Sequence, residues 1–197
     1  MARTAALLRR REDAWKTLPR LLFFTDPVRT PDPEAIARTL PRGSAIVFRA
    51  FGAADALARG LQLRKIADQR GLKLLVGADD RLARALCADG VHLPERWASR
   101  ARRLKAAHPS WIVTTAAHSA LAARRGLAAG ADAVVVSAAF ASNSPSAGKA
   151  MGPIRLALLS QAARGPVYAL GGINNKTARL LRSTGLVGLA AVDGLRT

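Results

Sequence analysis

Acidic residues are the scarce class in this chain: 13 Asp plus Glu stand against 31 Lys plus Arg, a formal net charge of +18. So few carboxylates leave little with which to hold a divalent metal once caps and ion pairs are made. Cysteine is almost missing. Cys87 alone excludes an intrachain disulfide, a thiolate zinc site and a redox pair, which suits a reducing cytosol; in the run Leu82-Ala83-Arg84-Ala85-Leu86-Cys87 it is expected to be a small core residue. Aromatics make up 5%, too few for the stacking platforms of a single-strand nucleic-acid binder. No run of about 18 apolar residues occurs, and Ala5-Ala6-Leu7-Leu8 is too short for a signal core. A soluble, cytoplasmic protein without membrane contacts is expected. The turns G-x-G-x-x-G and G-x-x-x-x-G-K are absent, which argues against the nucleotide-binding doubly wound sheets. His92, His108 and His118 have no metal-ligand spacing, and no Ser-His-Asp or Cys-His set accompanies them.

What the chain does have is an ordinary interior. Half of its 197 residues are hydrophobic, enough for one sizeable domain and far more than a disordered basic tail carries. The positive charge comes from 25 Arg and six Lys. Many of these arginines, among them Arg81, Arg84, Arg102, Arg103, Arg124, Arg125, Arg179 and Arg182, fall on predicted outer helices as solvated surface. A basic nucleic-acid-binding protein is one class that the charge suggests, and the shortage of aromatics weighs against it.

Short apolar runs alternate with longer Ala/Leu/Arg stretches, the pattern of βα units around a parallel sheet. Eight runs are predicted as strands: 21–25, 45–49, 72–76, 90–93, 111–114, 133–137, 167–170 and 187–192. Their starts lie 18 to 34 residues apart, room for a strand plus a crossover helix. Helices are predicted over 33–40, 53–70, 81–88, 95–107, 119–129, 153–163 and 174–183, with Ser119 and Asn174 or Asn175 as N-caps. Eight units suggest closure into a single (β/α)8 TIM barrel over residues 21–197. A basic helical extension over residues 1–20 is expected under its bottom, and little or no helix after the eighth strand.

In such a barrel the chemistry sits on the loops that follow the strands. The seventh, Leu170-Gly171-Gly172-Ile173-Asn174, puts bare glycine amides before a helix, an arrangement suited to phosphate; the competing role is a tight turn. Val192 and Asp193 follow the eighth strand, where further amides could face the same anion. Arg49 ends the second strand and suits a phosphate or pyrophosphate bidentately, or a nearby carboxylate. Asp79 and Asp80 follow the third strand; adjacent carboxylates there are candidates for Mg²⁺, or for a helix cap and first-turn charge. His92 is expected to be packed and hydrogen-bonded, and His118 to stand at the mouth. The polar segment 140–152, FASNSPSAGKAMG with Lys149, has the composition of a lid or substrate loop.

Taken in order, Phe23-Phe24-Thr25-Asp26, Asp89-Gly90-Val91-His92-Leu93, Gly130-Ala131-Asp132, the Ser-containing loop after Phe140 and Leu170-Gly171-Gly172-Ile173 resemble the thiamine phosphate synthase and thiazole tautomerase superfamily. The resemblance spans about residues 20–195. It implies a (β/α)8 barrel that joins hydroxymethylpyrimidine pyrophosphate to thiazole phosphate with Mg²⁺ and releases pyrophosphate. On that resemblance Gly171, Gly172, Val192 and Asp193 would bind the thiazole phosphate. Arg49 would meet the pyrophosphate, with Val47 and Phe51 where the family has Gln and Lys. Ser142 and Ser144 stand where the family has a Thr-x-Thr pair, with Pro145 in the following lysine's place and Lys149 near enough to substitute. The family's metal aspartates fall on Ala78, one residue before Asp79, and on Trp97; its strand-five serine falls on Ala116. The resemblance therefore assigns catalysis to Arg49, Asp79, Asp80 and Lys149, with Asp79 or Asp80 on the metal. Partners would be the two phosphorylated substrates; a homo-oligomer stays open, as does a barrel that binds a phosphorylated thiazole without synthase activity.

Overall fold

A computed structural model describes residues 15, 17–142 and 148–195. Eight parallel strands, β1 (Leu21–Phe24), β2 (Ala45–Phe48), β3 (Lys73–Gly77), β4 (Gly90–Leu93), β5 (Ile112–Ala117), β6 (Ala133–Val136), β7 (Val167–Ala169) and β8 (Gly188–Ala191), pair in sequence order. Pairing of Leu21 with Leu189 and Phe23 with Ala191 closes β1 onto β8. A parallel strand is covered on both faces, so each reads as a continuous apolar run. Strand alternation then sorts the residues. Leu22, Phe24, Val47, Leu75, Val135 and Tyr168 fill the barrel interior. Phe23, Ile46, Phe48, Leu74 and Val76 face the helices. The Tyr168 hydroxyl, deep inside, donates to the Pro19 carbonyl, so its polar tip is satisfied.

The helices are α1 (Pro33–Thr39), α2 (Ala56–Arg70), α3 (Asp80–Ala85), α4 (Ala101–Ala107), α5 (Ala120–Ala128), α6 (Gly152–Ala163) and α7 (Asn175–Arg179). Asp32, Asp79, Ser119 and Asn174 cap four of them with their side chains. The stretch expected as one helix over 95–107 is two pieces: a 3₁₀ helix (Glu95–Arg100) entered from Pro94 without a side-chain cap, then α4. The seventh helix is only five residues long, because i→i+3 bonds from Leu180, Leu181 and Thr184 tighten the chain beyond it.

Cys87 departs from its expected place. It is exposed, with φ +47°, at the left-handed exit of α3, where the Ala88 N–H closes on the Ala83 carbonyl. Ala83 and Leu86 are the core residues of that segment. The basic extension expected over 1–20 lies mostly outside the described residues. Within them, Trp15 and Leu18 pack against the interior cluster. Among the described residues no helix follows β8, and none is long and apolar enough to cross a membrane.

Two aspartates tie the lower ends of the strands together. Asp89 accepts the Leu74 N–H at 2.9 Å, Arg64 at 2.7 Å and Lys73 at 2.8 Å. Asp132 accepts the Val113 N–H at 2.8 Å, with Lys105 at 3.2 Å. The glycine after Asp89 is steric in origin, since a Cβ on Gly90 would lie 2.0 Å from the Ile112 carbonyl oxygen.

Candidate active site

The upper ends of β1, β2, β6, β7 and β8 enclose a pocket of about 80 Å³, room for a small anion. Arg29, Arg49, Ser142, Gly171, Gly172, Val192 and Asp193 are among its lining residues. Six of the expected phosphate-site residues thus converge from four separate loops.

Gly171 and Gly172 both have positive φ, 99° and 63°. A Cβ on Gly172 would stand 2.3 Å from the Ala141 carbonyl oxygen, so the loop after β6 rests directly on this glycine. That loop is also bonded down, through Ala139 N–H to Leu170 O at 2.8 Å and Phe140 N–H to Gly171 O at 3.0 Å. Its far limb returns through Met151 and Gly152 N–H to the Ala138 and Ala139 carbonyls. The described ends of the loop after β6 therefore lie together beside the Gly171–Gly172 loop. Among the described residues, the Gly171 and Gly172 amides find no acceptor, which leaves them for an anion. The dipole of the following helix contributes little. At five residues α7 is short, and the Asn174 side chain already takes the Lys176 and Thr177 N–H groups in a capping box.

Arg49 is placed by β1. Its N–H donates to Thr25 Oγ1 at 2.9 Å, its Nε to the Thr25 carbonyl at 2.7 Å and its Nη2 to Asp26 Oδ2 at 3.1 Å. The guanidinium also lies 5.7 Å from the Phe24 ring centre and 5.1 Å from that of Phe51. Both contacts are of cation–π length. Burial, and the neighbouring Arg29, lower the Arg49 pKa against the pull of Asp26. Beneath it His92 is buried, with Nδ1 3.0 Å from Thr114 Oγ1 and its ring edge-on to Phe24 at 4.9 Å. Burial, aided by the Arg49 charge, pushes the His92 pKa down to about 3, so this histidine is a neutral packing group.

Arg29 is the site residue that the sequence reading missed. Asp26 starts an Asx turn, its Oδ1 accepting the N–H groups of Val28 at 3.1 Å and Arg29 at 3.0 Å. The turn folds Arg29 back over the barrel mouth. Its Nε lies 3.8 Å from Asp26 Oδ2 and its Nη1 3.9 Å from Asp193 Oδ2. Burial pushes the Asp26 pKa up. The two amides and then the charges of Arg49 and Arg29 outweigh burial, holding the carboxyl below its usual 3.8. The pattern Asp-Pro-x-Arg directly after a first barrel strand was the available signal: an aspartate that begins a turn returns the fourth residue to its own carboxylate.

The other expected residues stand elsewhere. Ser142 lines the pocket, whereas Ser144 lies outside the described residues. Lys149 is exposed on the returning limb and is not a lining residue. His118 faces a different cavity, a groove of about 710 Å³ between the 3₁₀ helix and α5. There Glu95 Oε2 takes both its backbone N–H at 2.9 Å and its Nδ1 at 2.7 Å.

The carboxylates offered for Mg²⁺ are engaged. Asp79 accepts the Leu82 N–H at 2.8 Å as the cap of α3. Asp80 is held by Arg100 at 2.6 Å and Arg84 at 3.1 Å; burial raises its pKa, but these two bonds prevail and keep it low. No group of three or more His, Cys, Asp or Glu side chains suited to a metal occurs among the described residues. A carboxylate neutralised by two guanidinia is a poor ligand for a hard cation, so Asp80 does not fit a protein-held Mg²⁺, and Asp79 has no further ligand beside it among the described residues.

A family model described as thiamine monophosphate synthase matches residues 21–195. The chain belongs to that family. It is 32% identical over 189 residues to a thiamine-phosphate synthase of Alcanivorax borkumensis, covering 89% of this chain and 84% of that one. It is also 32% identical over 143 residues to a thiamine-phosphate synthase of Geobacillus thermodenitrificans, covering 72% and 63% respectively. In structure it is similar to a thiamine phosphate pyrophosphorylase of Pyrococcus furiosus, with a TM-score of 0.75 at 24% identity, over 91% of this chain and 88% of that one. The closed eight-stranded barrel and the family membership agree with the fold and the thiamine phosphate synthase-like transferase class expected from the strand-end motifs.

Proposed function

We propose that this barrel joins hydroxymethylpyrimidine pyrophosphate to thiazole phosphate, forming thiamine phosphate and pyrophosphate in the cytoplasm. One observation carries the reading: Arg49 and the Gly171–Gly172 amides open onto a single pocket. In the reaction the thiazole ring nitrogen attacks the pyrimidine methylene carbon as the carbon–oxygen bond to pyrophosphate breaks. The electron pair leaves with the pyrophosphate, and the nitrogen becomes a thiazolium without proton transfer. The protein's work is to place the two substrates and to neutralise negative charge as it develops on the leaving group. Backbone amides suit the phosphomonoester. Arg49, fixed by Thr25 and Asp26, suits the pyrophosphate without reorganising.

The pairing of Asp80 with two arginines favours a second reading, a barrel that binds a phosphorylated thiazole without coupling it. Rescue of a thiamine-requiring cell that lacks the synthase, with a coupling assay on purified protein in the presence of Mg²⁺, separates the two. Product formation abolished by Arg49→Ala supports coupling. Saturable thiazole phosphate binding with no product supports the second reading.

A further inference from the structure

Two arginines converge on one carboxylate at the mouth of the pocket, and they are bound very differently. Arg49 is held by hydrogen bonds at 2.7 and 3.1 Å. The Arg29 guanidinium is inside the pocket wall, its side chain 19% exposed, yet among the described residues it makes only ion-pair contacts, 3.8 Å to Asp26 and 3.9 Å to Asp193. Neither is within hydrogen-bond length. The guanidinium, whose N–H groups make no hydrogen bond among the described residues, thus lines a site that also presents the Gly171 and Gly172 amides, likewise without an acceptor among them. Asp26 is mostly taken up elsewhere, its Oδ1 accepting two amides and its Oδ2 accepting Arg49, and the Arg29 Nε stays 3.8 Å from that oxygen. Asp193 is half exposed and lies beside amides that favour an anion.

We propose that Arg29 is a specificity-determining residue for the phosphomonoester of the acceptor substrate, and that Asp193 is its resting partner, displaced when phosphate enters. The assignment rests on the synthase-like reading for the identity of the acceptor, but not for the presence of an anion site. A phosphate dianion can take two guanidinium N–H groups and the glycine amides at once. The Asp193 carboxylate, at 3.9 Å, offers Arg29 a charge but no hydrogen bond, so the exchange favours phosphate. Until then Asp193 keeps the guanidinium turned toward the site.

The test is calorimetric titration of the full chain, in EDTA, with three probes: inorganic phosphate, thiazole phosphate and the unphosphorylated thiazole alcohol. Arg29→Gln is expected to weaken both phosphorylated probes about tenfold or more, the loss that follows from removing a charged hydrogen-bond donor, and to leave the alcohol unchanged. Arg29→Lys recovers part of the loss. Asp193→Asn removes the competing carboxylate and tightens phosphate a few-fold. If Arg29→Gln keeps phosphate binding within about twofold of wild type, or if Asp193→Asn weakens it as Arg29→Gln does, the assignment is overturned. Should Arg29→Gln fail to fold by circular dichroism, Asp193→Asn on the exposed loop carries the test alone: tightening supports the exchange, and unchanged or weaker binding overturns it. Phosphate binding that depends on Arg29, in a protein that forms no product, keeps this assignment and removes the synthase reading. Coupling with an unaltered KM for thiazole phosphate in Arg29→Gln does the reverse.

Discussion

The two ends of this barrel carry the same formal charges in clusters of opposite character. At the lower end Asp68 and Asp89 meet Arg64 and Lys73, with ion pairs of 2.6 to 2.8 Å and a backbone amide completing the set. At the upper end Asp26 and Asp193 meet Arg29 and Arg49, but two of the contacts are 3.8 and 3.9 Å and the neighbouring glycine amides are open. Two cations and two anions make a staple where all three ion pairs are at hydrogen-bond length, with only the Arg64 Nε left unpartnered in it. On the proposed reading they make a binding site where bonds are left for a ligand to complete. The difference is one of local geometry. The lower cluster is held between adjacent strand starts and a 15-residue helix, whereas the upper one hangs on loops that leave the barrel.

The sharpest way to break the comparison is to remove a hydrogen-bonded cation from the upper cluster. Arg49→Gln is expected to lower kcat/KM for coupling by about 10² to 10³, the scale of losing one preorganised charge-stabilising donor, while the thermal midpoint barely moves. A large drop in stability with little loss of activity would put Arg49 in the same class as the lower staple.

Asp89→Asn should do the opposite. It leaves Arg64 and Lys73 facing a neutral group in a partly buried place, and is expected to cost about 2–3 kcal/mol of folding stability by urea unfolding. That corresponds to a midpoint fall of about 5–10 °C for a domain of this size. The KM for thiazole phosphate stays unchanged.

Acid should loosen both ends in order. His92 has a folded pKa near 3 against 6.5 in the open chain, so between these values the unfolded state takes up a proton that the folded state refuses. Stability therefore falls as pH drops from 6.5, by at most about 1.4 kcal/mol per pH unit from this group. The depressed carboxyls of Asp26, Asp80 and Asp89 contribute fully above 3.8 and lose their contribution as pH falls through their lower folded values. Urea midpoints should decline from about pH 6.5 to 3, and His92→Gln should flatten the limb between 6.5 and 4. A wild-type curve that is level over that limb contradicts the buried, neutral histidine.

The smallest effect is expected at Asp80. Already neutralised by Arg84 and Arg100, it is expected to tolerate Asp80→Asn with kcat within about twofold and stability within about 1 kcal/mol, as for a largely surface pair. A loss of activity restored by higher Mg²⁺ would show instead that this carboxylate serves the metal.

Much of this was legible in order along the chain. Eight apolar runs at crossover spacing specify a parallel barrel, because every strand of such a sheet is covered on both faces, and the glycine pair after the seventh run marks a loop that lines the pocket. The helix caps at Ser119 and Asn174 were legible too, since a cap bonds to amides two or three residues away. Cys87 and the single long helix over 95–107 went wrong for a shared reason: composition around a residue tells little about where a helix tightens or ends. Asp80 looks like a metal ligand in a linear reading because its arginine partner Arg100 is 20 residues away.

The sequence alone settles the number of strands, their burial and the position of the Gly171–Gly172 turn, because these follow from local periodicity and from the backbone freedom of glycine. Only the tertiary structure decides which charges are spent and which remain available. Arg49 reaches Asp26 because β1 pairs with β2, and Arg29 comes near Asp193 because β1 closes onto β8. Electrostatic pairing depends on distance in space, and that distance exists only once the barrel has closed.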